Sequence, residues 1–326
     1  MASQISTQAY DCSMKRKPRL LITLGDVAGI GPELVAKAWA DLQTICEPTV
    51  IGDVAWMSRL RPDIAVVQAT TQDLSGVVPG KMSAAAGRAA YDFLCTAIDL
   101  TLAKKADGIV TLPLNKEGLH AAGLKYPGHT EILAERCGVR DFGMMLYAPP
   151  GPNVKNAIGV VHVTLHMALR DVFQNITTKA ITEKIFLLND VLDALCERGP
   201  RLAVAALNPH AGDGGIFGDE ETRIIAPAVE IAEASGLNVA GPLPCDTLFV
   251  RAQQGEFDGV VAMYHDQGHI ALKLLTGLAA VNVTLGLQIV RTSVAHGTAY
   301  DIAGKGIANP QSLLEAARVA VKLTAP

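Results

Sequence analysis

Three histidines stand directly after aliphatic runs that have the composition of buried strands. His166 follows AIGVVHVTL, His210 follows LAVAALNP, and His265 follows DGVVAMY. In an open α/β sheet, ligands bind outside the carboxyl ends of the strands, so the fold can bring these three imidazoles together. Imidazole binds Zn, Co, Ni or Fe, and three protein ligands leave positions free for a substrate. The pattern therefore predicts a catalytic metal site.

The alternative for each of these histidines is a structural role. A single histidine at a strand end is more often hydrogen-bonded within the protein than bound to a metal. Three in the same topological position, two of them close to Asn208 or Asp266, favour the metal site. His162 lies on the same predicted strand as His166 but nearer its start, so we expect it to lie toward the core and not to bind the metal.

A second group of side chains has the chemistry of an anion site. In residues 127–131 a glycine precedes His129 and Thr130 at a predicted helix start, where free backbone N–H groups fit a phosphate. A capping box at Thr130 is the alternative. Lys116 is either a second cation for the same anion or a solvated surface lysine. A candidate clamp for a carboxylate or phosphate follows the third histidine: Lys273, Asn282 and Arg291.

Two glycine-rich loops follow predicted strands. Residues 25–33 read GDVAGIGPE, and their glycine spacing matches neither the dinucleotide-binding fingerprint nor the P-loop. This loop either presents N–H groups to an anion or makes a tight turn. Residues 208–215 read NPHAGDGG and surround the second histidine. Such a glycine-rich loop lowers stability unless the backbone must approach a ligand closely.

The elements that position these residues alternate along the chain. Predicted strands cover residues 19–24, 48–52, 107–112, 157–164, 202–207, 258–264 and 280–285. Predicted helices cover residues 32–43, 83–104, 130–137, 178–198, 220–235 and 311–323. Pro32 at a first helical position and Ser83 as an N-cap support two of the helix starts. The alternation predicts an α/β protein with a mostly parallel sheet covered by helices.

Bulk properties narrow the class of protein. A chain of 326 residues is about twice the usual domain length, which favours two lobes. A net charge of −4 argues against nucleic acid, and no run approaches the ~20 apolar residues of a membrane span. Six cysteines without a CxxC pair are typical of reduced thiols, so we expect a cytoplasmic protein. Residues 1–18 are expected to form a disordered tail.

Several of these motifs together resemble a known family. GDVAGIGPE, TLPLNKEGL, KYPGHTEILAE, LHMALRDV, NPHAGDGGIFGDEE, GPLPCDTLF, MYHDQGHIALKLL and VNVTLGLQIVRTSVAHGTA occur in the order found in 4-hydroxythreonine-4-phosphate dehydrogenases, from about residue 19 to residue 323. KYPGHTE, FGDEE and HDQGHIALKLL are similar to the branch that acts on 4-phospho-D-threonate or 4-phospho-D-erythronate. The resemblance implies a homodimer with a two-lobed fold like that of isocitrate and isopropylmalate dehydrogenases.

The resemblance also implies a domain division and a site. Residues 19–125 and 275–326 would form one lobe and residues 126–274 the other, with the active site between the lobes and at the dimer interface. The three histidines would hold a divalent metal (Zn, Mg, Mn or Co). His129 and Thr130 would meet the substrate phosphate. NAD or NADP would bind at a loop over residues 296–310, through three residues of this chain: His296, Gly297 and Asp301.

Two positions depart from the family pattern. Val27 stands where the family usually has proline, which affects only the stiffness of the loop. Ala295 stands where an aspartate usually precedes the His-Gly-Thr sequence. The second departure removes one cofactor contact and leaves the preference between NAD and NADP open.

The function implied is metal-dependent, NAD(P)-linked oxidation and decarboxylation of a 4-phosphorylated 3-hydroxy acid. Asp246 and Lys273 are both candidates for the proton-transfer group. The first alternative is a metal-dependent aldolase or hydrolase that acts on a small phosphorylated substrate with the same histidines. A non-catalytic binding protein on an inherited fold is the second alternative.

Overall fold

A computed structural model describes residues 16–325, so most of the tail predicted over residues 1–18 lies outside the described residues. The strands are β1 Arg19–Thr23, β2 Glu47–Gly52, β3 Val66–Gln68, β4 Gly108–Thr111, β5 Gly143–Ala148, β6 Ile158–His162, β7 Leu202–Ala205, β8 Val239–Leu243, β9 Gly259–Ala262, β10 Val281–Leu285 and β11 Val290–Val294. The α-helices are α1 Gly31–Ile45, α2 Val54–Leu60, α3 Ala84–Leu102, α4 Lys116–Ala121, α5 His129–Cys137, α6 Leu169–Asn175, α7 Thr178–Leu195, α8 Ala226–Ala234, α9 Cys245–Gln253, α10 His265–Thr276 and α11 Gln311–Thr324. Turns of 3-10 helix lie at Pro209–Gly215 and Gly277–Ala279, and a π-helical turn lies at Glu221–Ile225.

The strands of the described residues form one sheet in the order β3-β2-β1-β4-β11-β10-β5-β6-β9-β7-β8. The strands from β3 to β11 run parallel to one another, and so do those from β6 to β8. Between these halves, β10 pairs antiparallel with β11 and β5, and β5 pairs antiparallel with β6. The two parallel halves therefore point in opposite directions, and their carboxyl ends lie at opposite edges of the sheet.

The three strand-end histidines follow neighbouring strands of one half. His166 comes after β6, His265 after β9 and His210 after β7, and these strands are adjacent in the sheet. Because the three strands are parallel, their carboxyl ends lie at one edge. The topology thus delivers the three histidines to the same edge, as the order of elements along the chain predicted.

All seven predicted strands and all six predicted helices are present, with ends shifted by no more than three residues except in the helix predicted over 220–235. That segment begins as a π-helical turn and continues as α8. Strands β3, β5, β8 and β11 and helices α2, α4, α6, α9 and α10 were not predicted. Most of these elements are short, so their patterns cover too few residues to show a period.

Two glycines show how sequence sets the packing of the helices on the sheet. Gly159 of β6 and Gly259 of β9 are register partners. A Cβ on Gly259 would lie 2.5 Å from Leu192 and 2.9 Å from Leu188, both on α7. The missing side chains let α7 lie close against this face of β6 and β9, and the two leucines fill the space. The opposite face of the same strands is left to α10 and to the cavity described below.

The fold class predicted from the sequence is confirmed: the protein is α/β, with a large, mostly parallel sheet covered by helices. The core is aliphatic, as the low aromatic content requires. The division into lobes at residues 125 and 275 stays a prediction. In the described part of the chain, no helix is long and apolar enough to cross a bilayer.

Candidate active site

A cavity of about 590 Å³ lies over the face of the four central strands β11, β10, β5 and β6. Side chains of alternate residues point to this face. Asn282 pairs with Leu146 on one side and Ser293 on the other, so these three form one row across the sheet. The same register places Arg291 and His162 at opposite ends of the neighbouring row. The cavity therefore has a guanidinium end and an imidazole end, separated by about 14 Å at ~4.8 Å per strand.

Arg291 is a buried cation at the first of these ends, with only 4% of the residue exposed. Its guanidinium donates to the hydroxyl groups of Thr111 and Thr284. No carboxylate of the described residues forms an ion pair with it, and burial lowers its pKa to about 9. A buried charge is costly unless it is paired. The residue is therefore set up to bind an anion that enters the cavity.

His129 and Thr130 lie at the start of α5 and line the same cavity. The N-cap residue is Gly128 and makes no side-chain cap hydrogen bond, so the capping box considered for Thr130 is absent. The free N–H groups of this helix start remain available to an anion. Burial and the charge of Arg291 lower the pKa of His129 well below its usual range, which keeps the imidazole neutral.

Three lysines add to the positive charge of the cavity. Lys116 and Lys273, both candidates from the sequence, line it, and so does Lys184 of α7, which the sequence did not single out. Lys184 donates to the carbonyl of Phe142 at 2.8 Å, and burial lowers its pKa. Among the described lining residues, Glu131 is the only carboxylate. The electrostatics of the cavity favour a ligand with several negative charges.

At the imidazole end, two of the predicted metal ligands lie close together. The ring centroids of His166 and His265 are 5.8 Å apart. His265 Nδ1 lies 2.6 Å from Asp266 Oδ1, which leaves its Nε2 free, and this carboxylate–imidazole pairing is common among metal ligands. Burial, followed by the charge of Lys116, lowers the pKa of His166 and favours the neutral form that a metal requires. These two residues fit a divalent metal.

His210 lies apart from this pair of rings. Its side chain is 65% exposed, its Nδ1 lies 3.3 Å from Asp213 Oδ2, and its ring meets the edge of Phe217 at 6.4 Å. Within residues 16–325 of one chain, no group of three or more His, Cys, Asp or Glu side chains is placed to hold a metal ion. The site formed by all three histidines therefore stays a prediction.

His162 and His269 form a buried pair beside these rings. His162 was expected to lie toward the core; it is 1% exposed, and it lines the cavity with His269, which the sequence did not single out. His162 Nε2 lies 3.1 Å from His269 Nδ1, and the His269 ring stacks on His265 at 3.9 Å. Burial, followed by the neighbouring histidines, lowers the pKa of His162 to about 3. Burial, followed by His265, lowers the pKa of His269 to about 4.

Three buried polar atoms in the described residues have no hydrogen-bond partner, and all three belong to residues that line the cavity. They are His162 Nδ1, Asn282 Oδ1 and His296 Nε2. A buried polar atom without a partner costs about 1–3 kcal/mol, so native proteins rarely leave several in one place. Their concentration around one cavity indicates a site that is completed by a polar ligand.

The loop over residues 296–310 is held by α1 and by the first glycine-rich loop. Glu33 accepts hydrogen bonds from the N–H groups of Gly306 and Ala308, and Lys37 donates to the carbonyls of the same two residues. The hydroxyl of Tyr300 donates to a carboxylate oxygen of Asp26 at 2.5 Å. These contacts fix the backbone of the predicted cofactor loop next to the cavity.

The structure brings nine of the thirteen candidate residues to the cavity wall: Lys116, His129, Thr130, His166, Lys273, Asn282, Arg291, His296 and Gly297. His265 lies beside it, against His269. Asp246, Asp301 and His210 lie outside it, and all three are exposed. Asp246 belongs to the first turn of α9, so within one chain it is not placed to take a proton from a ligand in the cavity.

Comparison with known proteins identifies the family. A model of the family described as pyridoxal phosphate biosynthetic protein PdxA matches residues 33–320. The chain belongs to this family. It is 46% identical to a D-threonate 4-phosphate dehydrogenase of Cupriavidus necator, with 94% of this chain and 97% of that protein covered. It is 44% identical to a 4-hydroxythreonine-4-phosphate dehydrogenase of Geobacter metallireducens, with coverage of 94% and 95%.

A solved structure of the PdxA family shares the fold. It is a 4-hydroxythreonine-4-phosphate dehydrogenase from Klebsiella pneumoniae, 38% identical in sequence. It superimposes with a TM-score of 0.82 and covers 94% of this chain and 100% of its own. The resemblance inferred from the motifs is thus confirmed over nearly the whole chain.

Proposed function

We propose that this chain is a metal-dependent, NAD(P)-linked dehydrogenase that oxidises and decarboxylates a 4-phosphorylated 3-hydroxy acid. The observation that carries the proposal is the buried Arg291 guanidinium, which faces the cavity without an ion-pair partner among the described residues. Membership of the PdxA family supports it, since the relatives named above are dehydrogenases of such phosphorylated acids.

In this proposal the guanidinium end binds the phosphate. Arg291 offers N–H donors and a full charge, and the start of α5 adds backbone N–H groups and the hydroxyl of Thr130. The neutral His129 donates or accepts a hydrogen bond without adding charge. Binding the phosphate at one end fixes the acid so that its alcohol carbon lies toward the imidazole end.

The imidazole end carries out the chemistry. When bound, a divalent metal at His166 and His265 would polarise the alcohol, and the nicotinamide would accept the hydride. Lys273 is the better of the two candidates for the proton-transfer group, because it lines the cavity whereas Asp246 does not. Oxidation at C3 gives a 3-keto acid, which then loses its C1 carboxylate as CO2.

The charge of the cavity favours a hydroxy acid over an amino acid. Four cations line it, at Lys116, Lys184, Lys273 and Arg291, against one carboxylate at Glu131. An ammonium group at C2 would be repelled by these cations, whereas a hydroxyl group would not. We therefore infer that 4-phospho-D-threonate or 4-phospho-D-erythronate is a better substrate than 4-phosphohydroxy-L-threonine.

We further propose that the working enzyme is a homodimer. Large apolar side chains are exposed around the histidine edge of the sheet: Met167, Leu169, Phe173, Ile216, Phe217, Ile270 and Leu274. Monomers rarely expose so many large apolar residues near one another, so a second copy of the chain is the expected cover. In such a dimer, His210 of one subunit would complete the metal site at His166 and His265 of the other.

A turnover panel tests the proposed function. The purified protein is given each of the three phosphorylated acids with NAD or NADP, and reduction of the nicotinamide is followed by absorbance. Replacing Arg291 with Met should lower kcat/KM by ~30-fold or more, because a lost charged contact costs about 2–5 kcal/mol. Arg59→Met, at an exposed residue of α2, is the matched control. Product formed without any reduction of nicotinamide would favour the aldolase or hydrolase alternative.

A further inference from the structure

The buried pair of His162 and His269 is not needed by the function proposed above, and yet it is built into the cavity wall. Gly268 lies over His162, and a Cβ at this glycine would come within 2.4 Å of His162 Nε2. Only a residue without a side chain lets α10 approach β6 closely enough for the two rings to meet. The pair is therefore a specific product of the packing between α10 and β6.

The hydrogen-bonding capacity of the pair follows from its geometry. One proton lies between His162 Nε2 and His269 Nδ1, which are 3.1 Å apart. Each buried ring is neutral and carries one proton. If His269 donates, His162 carries its proton on Nδ1; if His162 donates, its Nδ1 is an acceptor. The unpartnered Nδ1 of His162 can therefore either donate or accept.

The position of the pair determines which part of a ligand it meets. His162 lies at the end of its row opposite Arg291, and His269 stacks on His265 at 3.9 Å. In the proposed function, a phosphorylated acid held at Arg291 would present its acid end to this region. A hydroxyl group is both donor and acceptor, so it matches an atom that takes either role.

We propose that the His162–His269 pair is a specificity determinant that hydrogen-bonds the uncharged C2 hydroxyl of the substrate through His162 Nδ1. This inference rests on the proposed function, and it identifies the C2 hydroxyl as a second substrate group that the site recognises, in addition to the phosphate. A site that hydrogen-bonds a hydroxyl rejects the analogue that lacks it, because the buried polar atom is then left without a partner.

The test compares 4-phospho-D-threonate with 3-hydroxy-4-phosphobutanoate, which lacks the C2 hydroxyl. We expect the full-length enzyme to prefer the first by ~10²-fold or more in kcat/KM. His162→Asn keeps a polar atom near the position of Nδ1, and His162→Gln keeps one near Nε2. The Asn variant should retain most of the preference, whereas the Gln variant should reduce it to one-tenth or less of the wild-type value. His120→Gln, at an exposed histidine of α4, is the control.

Each outcome decides the question. Equal preferences in the Asn and Gln variants, or no preference in the wild type, would overturn the inference and leave a structural role for the pair. The dissociation constants of the two acids are also measured by calorimetry. If the wild type turns over neither acid, the proposed function fails. The ratio of the dissociation constants of the two acids, measured for the wild type and for both variants, then still shows whether His162 binds the C2 hydroxyl.

Discussion

The two glycine-rich loops of this chain look alike in sequence and differ in structure. The loop over residues 25–31 is buried, and its glycines are required by close packing. A Cβ on Gly31 would lie 2.2 Å from the carbonyl oxygen of Leu24, and one on Gly29 would lie 2.8 Å from that of Thr298. This loop therefore makes a tight turn and supports the predicted cofactor loop. Its glycines need no anion to explain them.

The loop over residues 208–215 is largely exposed and has an unusual backbone. Three residues with side chains adopt positive φ angles: His210 (53°), Ala211 (56°) and Asp213 (43°). Each such residue costs about 1–2 kcal/mol, and such strain persists only where surrounding contacts impose it. Glu221 anchors the start of this loop, because it accepts hydrogen bonds from the N–H groups of Leu207 and Asn208 and from the Asn208 side chain.

The comparison shows that glycine-rich loops of similar sequence can have different structural roles. In the first loop glycine removes a clash, and in the second the backbone is held in a strained form that presents a histidine to solvent. Strained backbone of this kind clusters at functional segments, so the second loop is a candidate for one. The following predictions test whether the first loop serves stability and the second serves activity.

The largest effect is expected for His210→Ala. If His210 is a metal ligand, turnover should fall by more than the ~10–100-fold that loss of an outer-shell partner costs, and the protein should bind less metal. The stability should change little, since the side chain is 65% exposed. Activity, metal content and thermal unfolding are measured beside His120→Ala as control. A fully active variant would refute the ligand assignment.

The second effect is expected for Gly31→Ala. The added methyl group would collide with the carbonyl of Leu24 at the start of α1, where neither backbone can move freely. We expect a loss of at least about 3 kcal/mol in the free energy of unfolding, which urea denaturation measures. An unfolding free energy equal to that of the wild type would show that this loop is not closely packed.

These two loops also show how far the sequence reaches. The alternation of elements predicted a mostly parallel sheet, and the strand ends predicted that His166, His210 and His265 lie beyond the carboxyl ends of three strands. The structure adds that these strands are neighbours in one parallel half of the sheet. The sequence could not show that His269 meets His162, because that contact depends on how closely α10 approaches β6. For residues 25–31, a tight turn and an anion site were equally compatible with the glycine spacing. The spacing alone cannot show that backbone from a distant part of the chain packs against these glycines.

A third effect is expected for Glu221→Gln, which weakens the anchor of the second loop. Burial alone would raise the pKa of Glu221, but the hydrogen bonds from Asn208 and Leu207 outweigh it and lower the pKa. The charged form is therefore stabilised by folding, and this contribution is present above the unfolded pKa of about 4.3 and lost as the pH falls through the folded pKa. We expect the variant to be less stable by about 1–3 kcal/mol at neutral pH.

The pH dependence distinguishes this anchor from a simple packing contact. The difference in unfolding free energy between the wild type and Glu221→Gln should begin to shrink as the pH falls below about 4.3, where the unfolded state takes up the proton, and should be lost once the pH has fallen through the lower folded pKa, where the folded state takes it up as well. Denaturation curves recorded from neutral to acid pH measure it. A difference that stays constant over this range would show that the charge of Glu221 does not hold the loop.

The smallest effect is expected for Gly214→Ala, the counterpart of Gly31→Ala in the second loop. Gly214 has a φ of +67°, and no described atom lies within 4 Å of the Cβ that it would carry. The only cost is then the left-handed backbone, about 1–2 kcal/mol, with turnover lowered less than in His210→Ala. Urea denaturation and kcat/KM measure both quantities. A loss of stability as large as that of Gly31→Ala would mean that the second loop is packed as closely as the first, and the contrast between the loops would not hold.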